Sequence, residues 1–550
     1  PDSKVWLKRQ IAKIDNSILR QETEKKLKTE NVNYIHKLGI IQSAIYGVDI
    51  QPIAVEISKL RFFLSLIVDE RVDDAKENRG VEPLPNLEFK FVCANSLIGL
   101  PKVVTKLKKG FTDKQQTMLE ATDDIELLKK FREEYLRSYG EKKKQIEKKF
   151  QETQSRMSKH SLNWGGKDSQ TLKLSQWDPF ADEPCGWFDP EWMFGIREGF
   201  DIAIANPPYV DSEHMTRIMP GQRDILGAIY QTARGNWDLY IPFWEKSFSL
   251  LGNEGSAVLI TPNKWLAISY GEALRHYLQN YVARIGNCDD VDVFDAGNSP
   301  VIVYVHRNKT SSHINVDRFD VQYKIKEKIK ADSEILRFGN WGMLLSRNSS
   351  LLIKMLTRNK NVGKSFKAQN PCSVSEAYEL KEILKDVPSG KATKLSNYFK
   401  LVNTGTIDKY MNLWGFKLTT YLKTKYMFPI IKREDLKKFF PRRYDQMTAA
   451  KIIISGMRHF ESFLDLSGDF IAGKSTIILP CKDHDSLKNL LGIFNSQLIK
   501  FFIKESYGVL GIDGGINFTV DLVESLPLPD IKSCDIKIYV NKILSINQRV

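Results

Sequence analysis

The chain has 550 residues, of which 42% are hydrophobic and 11% aromatic, so it is long enough for two to four folded domains. Its 81 Lys and Arg against 67 Asp and Glu give a formal charge of +14, which suits a polyanionic partner but equally describes an idle basic surface. No apolar run approaches the roughly 20 residues that span a bilayer. Six scattered cysteines without a C-x-x-C motif predict reduced thiols, no structural metal and a cytoplasmic location.

The first 100 residues predict an N-terminal helix followed by a strand–helix–strand unit. Residues 1–45 carry apolar side chains at helical spacing, and "AIYGVDI" at 44–50 is a candidate strand. Pro52 opens "IAVEISKLRFFLSLIVDE", a pattern typical of a buried helix that begins near a proline. "LEFKFVCANSL" at 87–97 predicts a second strand. This order of elements is the unit of a parallel α/β sheet.

Charged helical sequence then interrupts the α/β pattern. One apolar stripe, from Ile125 to Tyr139, runs along an otherwise charged segment, which predicts a solvated helical arm within an insertion of about 104–190. Glu88-Phe89-Lys90 has the E-x-K spacing of metal nucleases. It lies in a strand that the sheet needs, and no suitably placed partner acid is evident, so we interpret it as a coincidence.

The α/β pattern resumes at residue 200 and changes texture near residue 391. The predicted elements are strand 200–205, helix 237–251, strand 256–263, helix 268–281 and strand 301–308. We therefore predict one α/β domain over 1–310 and a charged connector over 311–390. An α+β domain of short strands and helices, rich in interleaved cations and aromatics, is predicted over 391–550.

The strand "FDIAIA", predicted to be buried, runs into Asn206-Pro207-Pro208-Tyr209 at the end where ligands bind α/β sheets. The exocyclic amine of a nucleobase is a weak nucleophile because its lone pair is delocalised into the ring. The Asn206 amide oxygen and the Pro207 carbonyl, held by two stiff prolines, can accept its hydrogens and draw the nitrogen toward tetrahedral geometry. Tyr209 offers a ring on which an extruded base gains about 1–3 kcal/mol by stacking. The alternative is an ordinary turn.

The segments around this turn carry a family resemblance. With "IYGVDIQPIAVEISKLRFFLSLIVDE" before it and "DLYIPFWEKSFSLLGNEGSAVLITPNKWL" after it, "DIAIANPPY" resembles the γ-class adenine-specific DNA methyltransferases. More narrowly, it resembles the type IIG restriction–modification and BREX phage-defence methylases, over residues 35–308 apart from the arm. The resemblance implies a Rossmann-like S-adenosylmethionine-dependent methyltransferase sheet followed by a DNA target recognition domain. It also implies double-stranded DNA as the partner, S-adenosylmethionine as the methyl donor and adenine N6 as the acceptor.

The resemblance assigns a role to each matching residue. Asn206 to Tyr209 would form the catalytic turn. Asp49 would bind the ribose hydroxyls of the cofactor and Ile50 would pack on its adenine; the alternative is that Asp49 simply starts a turn. Asn95, followed by Ser96 and Leu97, stands where the family often carries Asp against the adenine, and its alternative role is the N-cap of a following helix.

Two aromatic residues complete the predicted pocket. Tyr240 in "WDLYIPF" would line the cofactor pocket, and Phe294 in "DVFDAGNSPVIVYV" would contact the flipped base together with Tyr209. Packing in the core is the alternative for both Tyr240 and Phe294.

The glycine-rich cofactor loop of this family is not found before Asp49. "GVLGIDGGINF" at 508–518 follows a helix and comes after the catalytic turn, so we interpret it as a loop of the recognition domain. The chain also begins without Met. We therefore expect a methyltransferase domain truncated at its N-terminus, which would bind S-adenosylmethionine poorly.

Cations and aromatics alternate in "YLKTKYMFPIIKREDLKKFFPRRYD", a composition that suits a surface gripping phosphates and contacting bases. The alternative is a basic face without a partner. The predicted DNA contacts are Lys432, Arg433, Lys437, Lys438, Arg442 and Arg443, together with Arg458 and His459 of "GMRHF".

These patterns together predict a site-specific DNA adenine N6-methyltransferase of a restriction–modification or phage-defence system, with any nuclease outside this chain. One alternative is a non-catalytic DNA-binding specificity fragment. Another is a methyltransferase acting on RNA or on a protein amide, since the same turn occurs in such enzymes. The long stretch after Asn308 favours DNA over this second alternative.

Overall fold

The computed structural model describes residues 12, 20, 32–69, 74–75, 79, 86–100, 112–164, 170–181, 183–291, 293, 299–387, 395–508, 516–530 and 535–547. These residues have a mixed α/β fold and divide into two compact units. Unit 1 comprises Pro1–Ala203, Asp224–Ile229 and Lys246–Gly255, and unit 2 comprises Ile204–Arg223, Tyr230–Glu245 and Ser256–Val550. The chain passes between the two units within residues 203–256, and the domain bounds predicted at 310 and 390 stay predictions.

Unit 1 contains the predicted strand–helix–strand element. Strands β1 (Gly47–Asp49) and β2 (Phe91–Cys93) pair in parallel, with Asp49 opposite Cys93. The helices of unit 1 are α1 (Val32–Ser43), α2 (Pro52–Ile67), α3 (Thr112–Leu136), α4 (Gly140–Trp164), α5 (Gln170–Gln176) and α6 (Pro190–Phe194). Proline stands at the start of α2, where its missing N–H costs nothing. The parallel unit is confirmed, whereas the predicted helix before Val32 lies outside the described residues.

Helix α2 is not the buried helix that its composition predicts. It buries Val55 and Leu66 but leaves an apolar stripe exposed to solvent. The exposed members of this stripe are Ile53, Ile57, Leu60 and Leu64. A helix that is apolar on more than one side can bury only one face against its neighbours, and the sequence does not indicate which face that is.

The predicted solvated arm belongs to the core of unit 1. Helices α3 and α4 bury Leu128, Tyr135 and Phe150 in one cluster with Phe89. The centroid of the Phe89 ring lies 5.5 Å from that of the Tyr135 ring and 5.8 Å from that of the Phe150 ring, and both pairs meet edge to face. The charged composition of the arm reflects its outer faces, and the apolar stripe on each helix is enough to fix both helices to the unit.

The E-x-K stretch is occupied by structural contacts within unit 1. Glu88 pairs with Lys143 at 2.8 Å. The Lys90 ammonium lies over the Tyr46 ring, 3.7 Å from its centroid, and burial lowers the pKa of Lys90 to about 8. These contacts give both residues a role in packing.

A sheet of six strands has the order β3–β4–β6–β5–β7–β8. Its strands are β3 (Phe200–Ala205), β4 (Leu251–Pro262), β5 (Val282–Asn287), β6 (Pro300–His306), β7 (His313–Phe319) and β8 (Ile325–Asp332). The helices between them in sequence are α7 (Ser212–Ile218), α8 (Pro220–Ile229), α9 (Tyr240–Ser249) and α10 (Glu272–Leu278). Because β6 is antiparallel to both β4 and β5, these two strands run in the same direction and end at the same edge.

Strand β3 has the predicted bounds but not the predicted burial. Ile202 is 64% exposed and Ile204 is 79% exposed. β3 stands at one end of the strand order, so only one side of it is paired within the described sheet. An apolar run of six residues does not distinguish an edge strand from a central one. Gly199, at φ +85°, turns the chain into β3 where a Cβ would come within 2.5 Å of the Gly252 nitrogen.

The region after β8 is folded throughout its described part, including the predicted connector. Its helices are α11 (Ser349–Arg358), α12 (Val374–Glu382), α13 (Arg433–Phe439), α14 (Pro441–Thr448), α15 (His484–Phe494), α16 (Gln497–Tyr507), α17 (Val520–Ser525) and α18 (Ile536–Asn547). Its strands up to residue 426 are β9 (Lys360–Asn361), β10 (Lys385–Asp386), β11 (Tyr398–Val402), β12 (Ile407–Asp408), β13 (Met411–Asn412), β14 (Thr419–Tyr421) and β15 (Thr424–Tyr426). The later strands are β16 (Pro429–Lys432), β17 (Lys451–Ser455), β18 (Met457–Arg458), β19 (Ser462–Asp465), β20 (Phe470–Ala472), β21 (Thr476–Pro480), β22 (Ile516–Asn517) and β23 (Pro527–Leu528).

Short sheets organise this region, as the predicted α+β content requires. One sheet has the order β10–β16–β11–β20, and another the order β19–β17–β21. Phe399, Ile431, Ile453 and Ile478 from these sheets meet in one buried cluster. No helix in the described ranges has the length and apolar composition needed to cross a membrane.

Candidate functional site

The turn Asn206-Pro207-Pro208-Tyr209 follows β3 directly and belongs to neither a helix nor a strand. The side chains of Asn206 and Pro208 are exposed, Pro207 is buried, and Tyr209 is partly buried. A buried Asn206 amide would have removed this turn from consideration, since no ligand could reach it. The observed exposure leaves the Asn206 amide accessible, next to a proline fixed in the protein.

The Tyr209 ring is held in place by an aromatic neighbour. It packs edge to face against the ring of Tyr240, with 6.3 Å between centroids and 76° between planes. Burial, with a smaller contribution from the Cys288 thiol, raises the pKa of Tyr209 to about 12. The phenol is therefore neutral at physiological pH, and it offers a fixed, uncharged ring beside the turn.

The segment just after the turn is tied to a partly buried carboxylate, Asp238. The Val210 carbonyl accepts the Leu239 N–H at 2.9 Å, and Asp238 Oδ1 accepts the Ser212 N–H at 3.2 Å. The Tyr270 hydroxyl donates to Asp238 Oδ2 at 2.7 Å. Asp238 lies in the segment "WDLYIPF", where no sequence pattern marked it as functional.

Two tyrosines extend this network into the core. The hydroxyls of Tyr240 and Tyr270 are 2.7 Å apart. Burial raises the pKa of Asp238, while hydrogen bonds from the Tyr270 hydroxyl and the Ser212 N–H lower it. Tyr240 is only 1% exposed, which favours the core alternative over a place in the cofactor pocket. Its observed contacts are with Tyr209, on the Asn206–Tyr209 turn, and with Tyr270.

A second polar group lies where β4 and β5 end. The Asp289 N–H donates to Asn287 Oδ1 at 2.9 Å, and the Asn263 amide donates to Asp289 Oδ1 at 3.4 Å. Asn263 is 2% exposed and Asn287 is 3% exposed, and burial raises the pKa of Asp289. Cys288, the electrostatic neighbour of Tyr209, lies between Asn287 and Asp289 in sequence. None of these residues was predicted from the sequence to have a role.

The predicted cofactor residues of unit 1 meet at one edge of the β1–β2 pair. Asp49 ends β1, and Asn95 follows the end of the parallel strand β2. Asp49 is exposed and its Oδ1 accepts the Gln51 N–H at 2.8 Å, while Ile50 beside it is 52% exposed. The described residues therefore present an accessible carboxylate next to an accessible apolar side chain, an arrangement that fits ribose hydroxyls and a purine ring.

Asn95 shapes a turn at this edge. Its Oδ1 accepts the Leu97 N–H at 3.1 Å, and residues 96–98 form a turn or bend, so the described residues show no helix for Asn95 to cap. Ser96 is partly buried and Leu97 is 3% exposed. The predicted cofactor contacts of Asn95, Ser96 and Leu97 stay predictions, as does that of Phe294, which lies outside the described residues.

The predicted basic patch divides into engaged and exposed side chains. Arg433 pairs with Asp469 at 2.7 Å and lies over the Phe399 ring, and Arg443 pairs with Glu376 at 2.7 Å. Hydrogen bonding from Arg443 lowers the pKa of Glu376 to about 2. The remaining members of the patch are exposed: Lys432, Lys437, Lys438 and Arg442. Among these, Lys432 lies near Glu434, and Lys437 and Lys438 each lie over an aromatic ring. Arg433 and Arg443 thus serve the fold of this region, and their predicted contacts with DNA stay untested.

Arg458 and His459 line a cavity of about 450 Å³ in unit 2. Three lysines on the same cavity were not predicted from the sequence: Lys409, Lys500 and Lys504. Lys500 and Lys504 are four residues apart on α16, so both project from one face of this helix. Phe460 and Phe518 contribute apolar wall, and three acidic residues lie among the cations: Asp289, which follows β5, Glu461 and Glu505. The i, i+4 spacing was the available signal for the two helical lysines, whereas Lys409 had none.

Comparison with known proteins shows what this chain is similar to. Residues 43–294 match the model of the Eco57I restriction-modification methylase. RM.MjaORFECS2P of Methanocaldococcus jannaschii, named as a type II restriction enzyme and methyltransferase, is 28% identical over 298 residues, which are 46% of this chain and 24% of that protein. RM.Eco57I of Escherichia coli, a type II restriction enzyme and methyltransferase, is 31% identical over 97 residues, which are 17% of this chain and 10% of that protein. The chain thus spans a quarter or less of the length of these relatives.

The chain is also similar to a solved structure, that of the type IIG restriction endonuclease BpuSI. The similarity covers 69% of this chain and 53% of that one, at 12% identity and a TM-score of 0.28. The family match contains the predicted Asp49, Asn95, Asn206 and Tyr209, each at the position described above. Residues 43–294 of this chain are therefore similar to an Eco57I-like restriction-modification methylase domain.

Proposed function

We propose that the protein containing this chain is a site-specific DNA adenine N6-methyltransferase of a restriction–modification or phage-defence system. The observation that carries this proposal is the exposed Asn206 amide beside the buried Pro207, directly after β3 and inside the matched methylase domain. The two relatives described above are named as type II restriction enzymes and methyltransferases, which supports DNA as the substrate.

The turn supplies the groups that activate the acceptor. Asn206 Oδ1 and the Pro207 carbonyl oxygen accept the two hydrogens of the adenine N6 amine, which localises the nitrogen lone pair for attack on a methyl carbon. The Tyr209 ring, fixed by Tyr240, supports the extruded base by stacking. As the new N–C bond forms, the bond between the methyl carbon and the donor's sulfur would break with its electron pair left on sulfur, and the amine would lose one hydrogen as a proton to solvent. Because Pro207 has a restricted φ and is buried, its carbonyl needs little reorganisation in the transition state.

S-adenosylmethionine, when bound, supplies the electrophilic methyl group. In unit 1 the exposed Asp49 carboxylate would hold the ribose hydroxyls, and the exposed Ile50 would cover one face of the cofactor's adenine. Asn95, at the same edge, would bond the adenine, since its amide both donates and accepts.

The cavity lined by Arg458 and His459 supports DNA as the partner. Lys409, Lys500 and Lys504 add three cations to its wall. We assign these cations to phosphates of double-stranded DNA, because cations grouped around an open cavity neutralise a backbone better than the same charges spread over a surface. Asp289 also lines this cavity, and it follows Cys288, whose thiol contributes to the raised pKa of Tyr209.

Two other functions remain distinguishable. A DNA-binding specificity fragment without catalysis would bind DNA and transfer no methyl group. An enzyme acting on RNA or on a protein amide would use the same turn on another acceptor.

The test is to express the whole protein, map N6-methyladenine in the host DNA, and repeat the mapping with Asn206→Ala. We expect one methylated sequence with the wild type, and a fall of about 10²- to 10³-fold in the methyl-transfer rate for Asn206→Ala with unchanged DNA affinity. Asn253→Ala, an exposed asparagine in β4, is the matched control and should transfer at the wild-type rate. Wild-type transfer by Asn206→Ala would refute the mechanism, and methyl groups on RNA or protein but not on DNA would support the second alternative.

A further inference from the structure

A large aromatic side chain, Phe416, stands exposed in the region predicted to recognise the DNA target. Its exposed fraction is 79%, the highest of any phenylalanine in the part of the chain that the structure describes. Single exposed apolar residues are common and need no explanation by themselves. The surroundings of Phe416 are what give it a role.

The loop that carries Phe416 is locked rather than loose. The N–H groups of Phe416 and Lys417 both donate to the Leu413 carbonyl, at 3.1 and 3.0 Å, and the Leu413 N–H donates to the Thr406 carbonyl at 2.9 Å. The Trp414 indole N–H donates to the Pro429 carbonyl at 3.0 Å. These bonds close a tight turn with Phe416 near its tip.

Packing beneath the turn fixes it further. The Trp414 ring meets Phe428 edge to face at 5.2 Å. Gly415 has φ +81°, and a Cβ at this position would lie 2.7 Å from the Phe428 ring. Only glycine therefore permits the turn to sit this close to Phe428. The result is a preorganised support that presents one phenyl ring to solvent.

The neighbouring hairpin adds positive charge and an unusual backbone. Strands β14 and β15 pair with Tyr421 opposite Thr424, which leaves only Leu422 and Lys423 in the turn. Both have positive φ, 44° and 67°, in a turn where asparagine and glycine are the usual residues. Backbone strain of this kind collects at ligand-binding segments, where the surrounding structure maintains it. The turn places Lys423 at the tip of the hairpin.

Three exposed lysines therefore accompany the exposed ring. Lys417 follows Phe416 directly, Lys423 occupies the hairpin tip, and Lys425 pairs with Thr420 on the strand that leaves the Phe416 loop. Lysine is depleted in the core of protein–protein interfaces, so this combination disfavours a protein partner. A rigid apolar wedge flanked by cations is the device with which proteins enter a base-pair step while holding the phosphates beside it.

We propose that Phe416 inserts between two base pairs of double-stranded DNA while Lys417, Lys423 and Lys425 neutralise nearby phosphates. This inference rests on the proposed function for the identity of the partner. The wedge unstacks one step and kinks the duplex, so that the sequence at that step contributes to recognition through its deformability. Phe416 thereby becomes a specificity residue that needs no hydrogen bond to a base.

The experiment uses this chain and a duplex that it selects from a random-sequence pool, with 2-aminopurine placed at successive positions of one strand. We expect bound wild-type chain to raise the fluorescence several-fold at one step, which marks unstacking. Phe416→Ala should abolish that rise and weaken binding about tenfold. The slope of log affinity against log salt should stay unchanged, because no charge is lost. Lys423→Ala should keep the fluorescence rise and reduce the slope by about one.

Leu418→Ala is the matched control, since Leu418 is also exposed in this loop. It should keep both the fluorescence rise and the affinity, and the urea midpoints of all the variants should agree. Wild-type fluorescence and affinity for Phe416→Ala would overturn the inference, and so would a selection that enriches no duplex or a wild-type complex with no unstacked position. These outcomes are independent of adenine methylation by the whole protein, so the failure of the wedge and the failure of the proposed function are distinguishable.

Discussion

Replacing Tyr270 with Phe removes one hydroxyl group from the network behind the Asn206–Tyr209 turn. That hydroxyl donates to Asp238 Oδ2 at 2.7 Å and lies 2.7 Å from the Tyr240 hydroxyl. A hydrogen bond to a charged group contributes about 1.5–3 kcal/mol, and one between neutral groups about 1 kcal/mol. We therefore expect Tyr270→Phe to lower the free energy of unfolding by about 2–4 kcal/mol at neutral pH.

The pH dependence of this loss follows from the ionisation of Asp238. Burial raises the pKa of Asp238, and the Tyr270 hydroxyl opposes that rise by stabilising the charged carboxylate. A carboxyl group with a raised pKa costs stability as the pH increases from its unfolded-state pKa to its folded-state pKa. In Tyr270→Phe the pKa rises further, so this cost grows. The decrease in the free energy of unfolding should be full above the folded-state pKa of Asp238 in the variant. It should become smaller as acidification neutralises Asp238.

The assay is urea unfolding at a series of pH values from 8 down to 3, followed by tryptophan fluorescence. Tyr421→Phe is the control, because the Tyr421 hydroxyl donates to the neutral Ala377 carbonyl at 3.0 Å. The control should lose about 1 kcal/mol at every pH. If Tyr270→Phe loses as much at pH 3 as at pH 8, or loses nothing, then the hydroxyl does not support a charged Asp238.

Two further predictions separate structural cations from DNA contacts. Arg443→Ala should lower the free energy of unfolding by about 1–2 kcal/mol at pH 7, since Arg443 holds the Glu376 carboxylate; this difference should disappear as the pH falls from about 5 toward 2, where Glu376 is protonated in the wild type. Arg442→Ala, at an exposed residue, should change stability by less than about 0.5 kcal/mol in the same urea titrations. Lys500→Ala and Lys504→Ala should each reduce the slope of log DNA affinity against log salt by about 0.9 in anisotropy titrations, whereas the exposed Lys354→Ala on α11 should leave it unchanged. An unchanged slope for both cavity lysines would remove the cavity from the DNA interface.

The local parts of the fold could be predicted from the sequence because they depend on neighbouring residues. Pro52 marks the start of α2, and the two prolines after Asn206 set the end of β3 at Ala205, as predicted. The prediction that α2 and β3 are buried was wrong. Whether Ile53 and Ile204 are covered depends on what packs against them, and an apolar pattern records only that some face is buried. The position of β6 between β4 and β5 likewise results from long-range pairing.

The candidate site divides in the same way. Asn206 and Tyr209 form a contiguous motif, so their proximity is a property of the sequence. Asp238 acts through Ser212, 26 residues before it, and Tyr270, 32 residues after it. No spacing rule joins residues at such distances, and an aspartate followed by Leu and Tyr is an unremarkable pattern. The contacts that support the turn after Asn206 therefore depend on the three-dimensional placement of β4 and the segment after it, which the sequence pattern does not contain.

The basic residues of the C-terminal region show that a dense run of positive charges in the sequence does not by itself identify a surface that binds phosphates. The run from Lys432 to Arg443 is the most basic stretch that the sequence analysis selected, yet its arginines at 433 and 443 face acids 36 and 67 residues away. A positive charge paired in this way contributes to the net charge of +14 but offers little to a phosphate. Lys500 and Lys504 stand in an amphipathic helix that drew no attention, and they line a cavity together with Arg458. The location of the acids thus decides which cations are available, and the same reasoning applies to the cavity, where Asp289, Glu461 and Glu505 lie among the lysines.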